Sequence, residues 1–225
     1  MINTELATSY FGDWLKLINI NILSNTLNML CIRYKYNNVV PTKKLVFRAF
    51  KECSYDTLSV VIIGQDPYPQ YNTATGIAFG NDITTEDCNL SPSLKIIKDS
   101  VLNLENINNN TKFDSSLLSW CKQGILLLNS SLTTEINKTG AHTLLWRKFI
   151  TDFLNKLSNK KENIIYILFG EQAKTMKPYI NNKNNIILTE KHPAYYARIN
   201  SKMPFTVFKR VNEILKEKNK KEIYW

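Results

Sequence analysis

Four short, uninterrupted apolar runs constrain this chain more than any other feature: Leu58–Ile63, Ile125–Leu128, Asn163–Phe169 and Asn185–Thr189. Each is rich in Leu or β-branched residues and too short for an ordinary helix, so each reads as a strand covered on both faces. Helix-period stretches lie between and around them. Pro92–Leu104 follows Ser91, a residue type that caps helices whose first residue is proline. Across Thr143–Leu157, apolar residues recur at three- and four-residue steps (Leu144, Leu145, Phe149, Phe153, Leu154 and Leu157). Glu171–Ile180 and Pro204–Lys218 are further helical candidates. An N-terminal helical region over Tyr10–Arg33, divisible into two pieces, and a short helix over Thr42–Lys51 complete the pattern.

Strands alternating with helices predict an α/β fold: a central four-stranded parallel sheet flanked by helices, in three layers. The polar stretches Asn106–Lys112, Ser158–Glu162 and Asn181–Asn185 read as connections rather than linkers. With no repeat and no low-complexity tail, the expectation is one domain over 1–225, its helical region at about 1–55 packed on the α/β core.

In an open parallel sheet, ligands bind beyond the carboxyl ends of the strands. The first strand is followed by Gly64-Gln65-Asp66-Pro67-Tyr68-Pro69, the second by Asn129-Ser130-Ser131, the third by Gly170-Glu171 and the fourth by His192-Pro193. Topology alone therefore gathers a carboxylate (Asp66), an amide (Asn129) and an imidazole (His192) at one edge. An Asn side chain offers one acceptor and two donors, enough for a two-point reading of a planar amide edge. Aromatic side chains such as Tyr68 and Phe79 offer a stacking face. A carboxylate can orient water or stabilise a cationic sugar, and a neutral His N–H can stabilise a developing anion. Glu171 is the one other carboxylate at an obvious strand end, so a two-carboxylate glycosidase arrangement is not evident.

Charge narrows the partner. Lys and Arg number 29 against 19 Asp and Glu, a formal net charge of +10, which favours polyanions and nucleic acid first among them. No apolar run is long enough to span a membrane, and Met1–Tyr10 does not resemble a secretory signal, so neither a membrane partner nor secretion is expected. Cys31, Cys53, Cys88 and Cys121 are widely spaced with no close pair, which speaks against a metal or iron–sulfur site and fits a reducing compartment.

At this point the residues resemble a known family. Gly64–Tyr68 is similar to the GQDPY motif of family 1 uracil-DNA glycosylases. Val46–Phe50, Thr75–Phe79, Pro92–Lys95, Leu126–Asn129 with Leu132-Thr133, His142, Trp146 and His192-Pro193 follow in the family's order, over about Tyr10–Trp225. The resemblance implies excision of uracil from single- and double-stranded DNA after base flipping, in base excision repair. It implies a monomer without cofactor or metal, in the cytoplasm, or in the nucleus if the source is a eukaryote or its virus. Asp66 would position the attacking water and stabilise the sugar cation. His192 would bond uracil O2, and Asn129 would bond N3–H and O4. Phe79 would stack on the base, Tyr68 would exclude the thymine methyl, and Gln65 would contribute its backbone to the pocket.

Departures from the family pattern are local. Pro69 stands where most members carry His. The proline-rich DNA-contacting loop is shortened to Ser91-Pro92-Ser93, leaving Ser93 as a DNA contact. After His192-Pro193 the run is Ala194-Tyr195-Tyr196-Ala197-Arg198, where the family commonly has a leucine that wedges into the duplex. Ungapped alignment puts Tyr196 at that position, so Tyr196, or Tyr195, is the expected wedge, with Arg198 and Lys202 as phosphate contacts. His142 is expected to hold a loop. A competing reading is a weakly active DNA-binding replication accessory protein on the same fold. Any protein partner, inhibitor or replication factor, stays open.

Overall fold

The structure, a computed structural model, describes residues 4–36, 38–104 and 113–225; the expected connection Asn106–Lys112 lies outside them. Helices are α1 (Thr4–Phe11), α2 (Ile20–Tyr36), α3 (Arg48–Glu52), α4 (Pro92–Val101), α5 (Leu118–Lys122), α6 (Thr143–Lys160), α7 (Gly170–Lys174), α8 (Pro193–Arg198) and α9 (Thr206–Glu217). Strands are β1 (Val39–Val40), β2 (Val60–Gly64), β3 (Ile125–Asn129), β4 (Thr134–Glu135), β5 (Ile165–Phe169) and β6 (Ile186–Glu190).

The fold is α/β, with a four-stranded, all-parallel sheet in the order β3-β2-β5-β6. Every residue of β2 and β5 is buried, as are the first four of β3. Such burial requires helices over both faces, and it explains why these strands are continuous apolar runs. β6, at one edge of the sheet, is only half-buried.

Elements end where the sequence interrupts them. Gly12 at φ +48° separates α1 from the short 3₁₀ turn Gly12–Leu17, and the expected N-terminal helix becomes α1, that turn and α2. The expected helix over Glu171–Ile180 is broken: α7 stops at Lys174, and Pro178 falls in a separate 3₁₀ turn, since proline cannot donate to a continuing helix. Ser91 does not cap α4. Its hydroxyl accepts from the Asn81 amide at 2.7 Å, and its N–H donates to Asn81 Oδ1 at 2.8 Å.

One buried apolar cluster joins the sheet to residues as distant in sequence as Phe11 and Trp225. The N-terminal helices enter it through aromatic edges. The Trp14 ring lies 5.2 Å from Tyr55 and 5.9 Å from Phe153 of α6, and its Nε1–H donates to the Cys53 carbonyl at 2.8 Å. Side chains of this size each contribute about 1.5–3 kcal/mol on full burial. Among the described residues, no helix is long and apolar enough to cross a membrane. No group of three or more His, Cys, Asp or Glu among them is placed to hold a metal ion.

Candidate active site

The sheet register brings the chemistry together. Gly64 at the end of β2 pairs with Asn129 at the end of β3, and His192 follows the end of β6 by two residues. A cavity of about 400 Å³ opens beyond these ends, within the size range of small-ligand sites. Gln65, Asp66, Tyr68, Phe79, Ser93, Asn129, His192, Tyr195 and Arg198 all line it. Nine of the eleven residues expected to bind or react therefore share one cavity, and Tyr196 and Lys202 are not among its lining.

The floor is built by close approach. A Cβ on Gly64 would lie 2.5 Å from Asn129 Oδ1 and 3.0 Å from Phe79 Cζ, so only glycine lets the amide and the ring sit where they do. Phe79 itself adopts φ +66°, an uncommon backbone state for a bulky residue and one that concentrates at functional sites. Its ring is 5.5 Å from Phe169 and 5.6 Å from His192, which leaves the imidazole beside the stacking surface. Tyr68 is tied to the same segment: its hydroxyl donates to the Phe79 carbonyl at 2.9 Å. Burial pushes the phenol well above its ordinary range, so it stays neutral.

His192 caps the N-terminus of α8. The Ala194 N–H donates to its Nδ1 at 3.1 Å, so Nδ1 is the acceptor and the neutral ring carries its proton on Nε2. Burial, with the Arg198 charge nearby, holds the imidazole pKa down at about 4. At neutral pH the ring is therefore an uncharged donor. Gly170 is required behind it, because a Cβ there would meet the His192 Cβ at 2.8 Å and φ is +83°.

Asp66 is half-buried, and desolvation pushes its carboxyl up. The Gly140 N–H, which donates to Oδ2, and the Thr134 hydroxyl pull it back towards the ionised form. Thr134 belongs to β4 and Gly140 to the turn that follows it, both in the segment after β3. That loop is fixed from behind: Trp146 Nε1–H donates to Thr133 Oγ1 at 2.7 Å, and Thr133 Oγ1 pairs with His142 Nδ1 at 2.8 Å. His142, only 1% exposed, accordingly sits behind the loop rather than in the cavity. Thr134 and Gly140 carried no motif in the sequence; their position in the segment after β3 was the only available signal.

Of the two tyrosines expected as the wedge, Tyr196 lies away from the cavity. Tyr196 is buried, and its hydroxyl donates to Glu190 Oε1 at 2.8 Å, so it packs against the end of β6 and does not reach the cavity. Successive residues on a helix point about 100° apart, and in α8 it is Tyr195 that faces the opening. Lys191 Nζ lies 4.3 Å from the Tyr195 ring centroid. Glu171, the other strand-end carboxylate, is exposed and paired with Lys174 at 2.7 Å, outside the cavity lining.

Comparison with known proteins agrees with this geometry. Residues 50–216 match the model of the uracil DNA glycosylase superfamily. The chain is 38% identical over 194 residues to the uracil-DNA glycosylase of Mycoplasmopsis pulmonis, covering 85% of each chain. It is 34% identical over 199 residues to that of Francisella tularensis, covering 88% of each. Two solved structures share the fold at lower identity. One is a mimivirus UNG variant in complex with UGI (TM-score 0.83, 24% identity, covering 100% of this chain and 91% of that one). The other is the UNG of Nitratifractor salsuginis (TM-score 0.59, 18% identity, covering 91% and 89%). A match over most of the sequence, together with a parallel sheet that closes on one lined cavity, leads to one assignment: the chain belongs to the uracil-DNA glycosylase superfamily.

Proposed function

We propose that this chain hydrolyses the N-glycosidic bond of deoxyuridine in DNA, releasing uracil and leaving an abasic site. The observation that carries the reading is the trio of Asp66, Asn129 and a neutral, Nε2-protonated His192 around one cavity beside Phe79 and Tyr68. The glycosidic bond is buried in a duplex, so the nucleotide must first leave the stack, which costs a few kcal/mol and less in a single strand. The flipped base stacks on Phe79. Asn129 reads N3–H and O4 with its acceptor and donor, an edge that cytosine presents with opposite polarity. As the bond lengthens, negative charge builds on uracil O2 and positive charge on the sugar. His192 Nε2–H stabilises the first without a charge of its own, and the Asp66 carboxylate stabilises the second and orients the water.

Tyr68 stands beside uracil C5 and rejects a methyl there. Tyr68→Ala is expected to give measurable excision of thymine while retaining uracil excision. Products from oligonucleotides with T or U at one position read this out, and no gain on thymine would remove Tyr68 from specificity.

Tyr195 is the wedge in this account, filling the gap left by the flipped base, with Arg198 and Ser93 on adjacent phosphates. Tyr195→Ala is expected to lower kcat/KM on duplex DNA by about tenfold, with little change on single strands, because only the duplex needs the gap held open. An equal loss on both substrates would count against a wedge. Incubation of the wild-type chain with uracil-containing DNA, followed by measurement of free uracil, tests the function as a whole.

A further inference from the structure

We propose that Asn81 is a positioning residue for the DNA-contacting side of the cavity, holding Ser93 in place relative to the ring of Phe79; the proposal rests on the glycosylase reading above. Asn81 follows Phe79 by two residues, and Ser91 precedes Ser93 by two. Phe79 and Ser93 both line the cavity, whereas the loop 82–90 between them does not. Asn81 and Ser91 close that loop at its base, and both are buried. The closure has two points. Asn81 Nδ2–H donates to Ser91 Oγ at 2.7 Å, and the Ser91 N–H donates to Asn81 Oδ1 at 2.8 Å. A backbone N–H can only donate, so the amide oxygen must face it and the amide nitrogen must face the hydroxyl.

The two sides of this brace are held unequally. The stacking segment has its own ties. The Phe79 carbonyl accepts from the Tyr68 hydroxyl at 2.9 Å, and the Gly80 carbonyl accepts from Thr75 Oγ1 at 3.1 Å. The Gly80 N–H donates to the Ile77 carbonyl at 3.1 Å, and the Asn81 N–H to the Ser115 carbonyl at 2.9 Å. The body of α4 is anchored in the core by Leu94, Ile97 and Val101, but where the helix begins the N–H and the hydroxyl of Ser91 both go to Asn81. Pro92 has no N–H with which to add a tie. The helix α4 also packs against α8, which brings Tyr195 and Arg198 to the cavity. Without the Asn81 amide, the buried Ser91 N–H is left unpaired, and the least disruptive relief is a shift of the first turn of α4 towards water. Ser93 moves with that turn while Phe79 stays. The loss therefore falls on the grip on DNA and not on the base.

The test compares Asn81→Leu, close in size but unable to hydrogen-bond, with Ser91→Ala, which removes only the hydroxyl. On a uracil-containing strand of about ten nucleotides, Asn81→Leu is expected to lower kcat/KM about tenfold, chiefly through KM. On a uracil-containing trinucleotide, which has few phosphates to grip, the loss is expected to stay within about twofold. Inhibition by free uracil, which fills only the base site, is expected to match wild type. Ser91→Ala keeps the N–H bond and is expected to lose about threefold on the longer strand alone. The double variant is expected to lose no more than Asn81→Leu, because both changes cut one brace. Equal losses on both strands with weaker inhibition by uracil would overturn the proposal, since Asn81 would then be a general support of the fold. So would wild-type kinetics on the longer strand, or losses that add in the double variant. If Asn81→Leu does not fold, the same comparison of strands on Ser91→Ala decides the point. If the wild-type chain excises nothing, the glycosylase reading fails by itself, and the brace is read from affinity for the longer strand: lower affinity in Asn81→Leu supports it, and unchanged affinity removes it.

Discussion

Replacing Asp66 with Asn is expected to lower single-turnover uracil excision by about 10³-fold or more, roughly 4 kcal/mol of transition-state stabilisation, while affinity for uracil-containing DNA stays near wild type. The asymmetry follows from the proposed role. An amide is the same size as the carboxylate, so the cavity and its contact with DNA are kept. The negative charge that faces the sugar as it becomes cationic is lost, and so is the acceptor that orients water. Gly140 N–H donates to Oδ2 and fixes the side-chain direction, which limits how far an Asn can turn to compensate. Rapid-quench rates together with binding to an uncleavable substrate analogue separate the two quantities. A variant that loses binding as much as rate would mean that Asp66 shapes the cavity rather than the chemistry.

The second large effect is expected from Gly64→Ala. The added methyl would sit 2.5 Å from Asn129 Oδ1 and 3.0 Å from Phe79 Cζ. Both are the far ends of side chains, so the fold can yield at small cost, and the melting temperature should change little. What yields is the amide that reads the base and the ring on which it stacks. Excision measured as kcat/KM should therefore fall by about 10²-fold or more, a loss comparable to leaving a polar recognition group misplaced. Thermal melting and excision measured on the same preparation check this. Normal excision would mean that Asn129 does not read the base from the position it holds in the free protein.

These two residues also mark how much was legible in the sequence. The sheet was legible because β2, β3 and β5 are covered on both faces, and that burial writes itself as continuous apolar runs. Asp66, Asn129 and His192 could be grouped because a parallel sheet collects its strand ends at one edge. The faces of short elements were not legible. The helix α8 has six residues, too few for a periodic signal to tell which of Tyr195 and Tyr196 faces the opening, and the backbone turns Tyr195 to it. Ser91 looked like a helix cap, but Asn81, ten residues away, takes its hydroxyl and its N–H. Gly140 N–H reaches Asp66 across 74 positions of sequence, a contact that no local pattern announces. Contacts of that kind depend on how loops return to the sheet edge, and local composition does not encode the return.

The most direct measurement uses three oligonucleotides that differ at one position, carrying U, T or C, each single-stranded and in duplex. They are incubated with the chain and then treated with alkali to break abasic sites. Strand breaks are expected at U alone, in single strands and opposite both A and G, with T and C intact. Binding to all of these substrates with no break at U would contradict this expectation and would identify a DNA-binding accessory protein on a glycosylase fold.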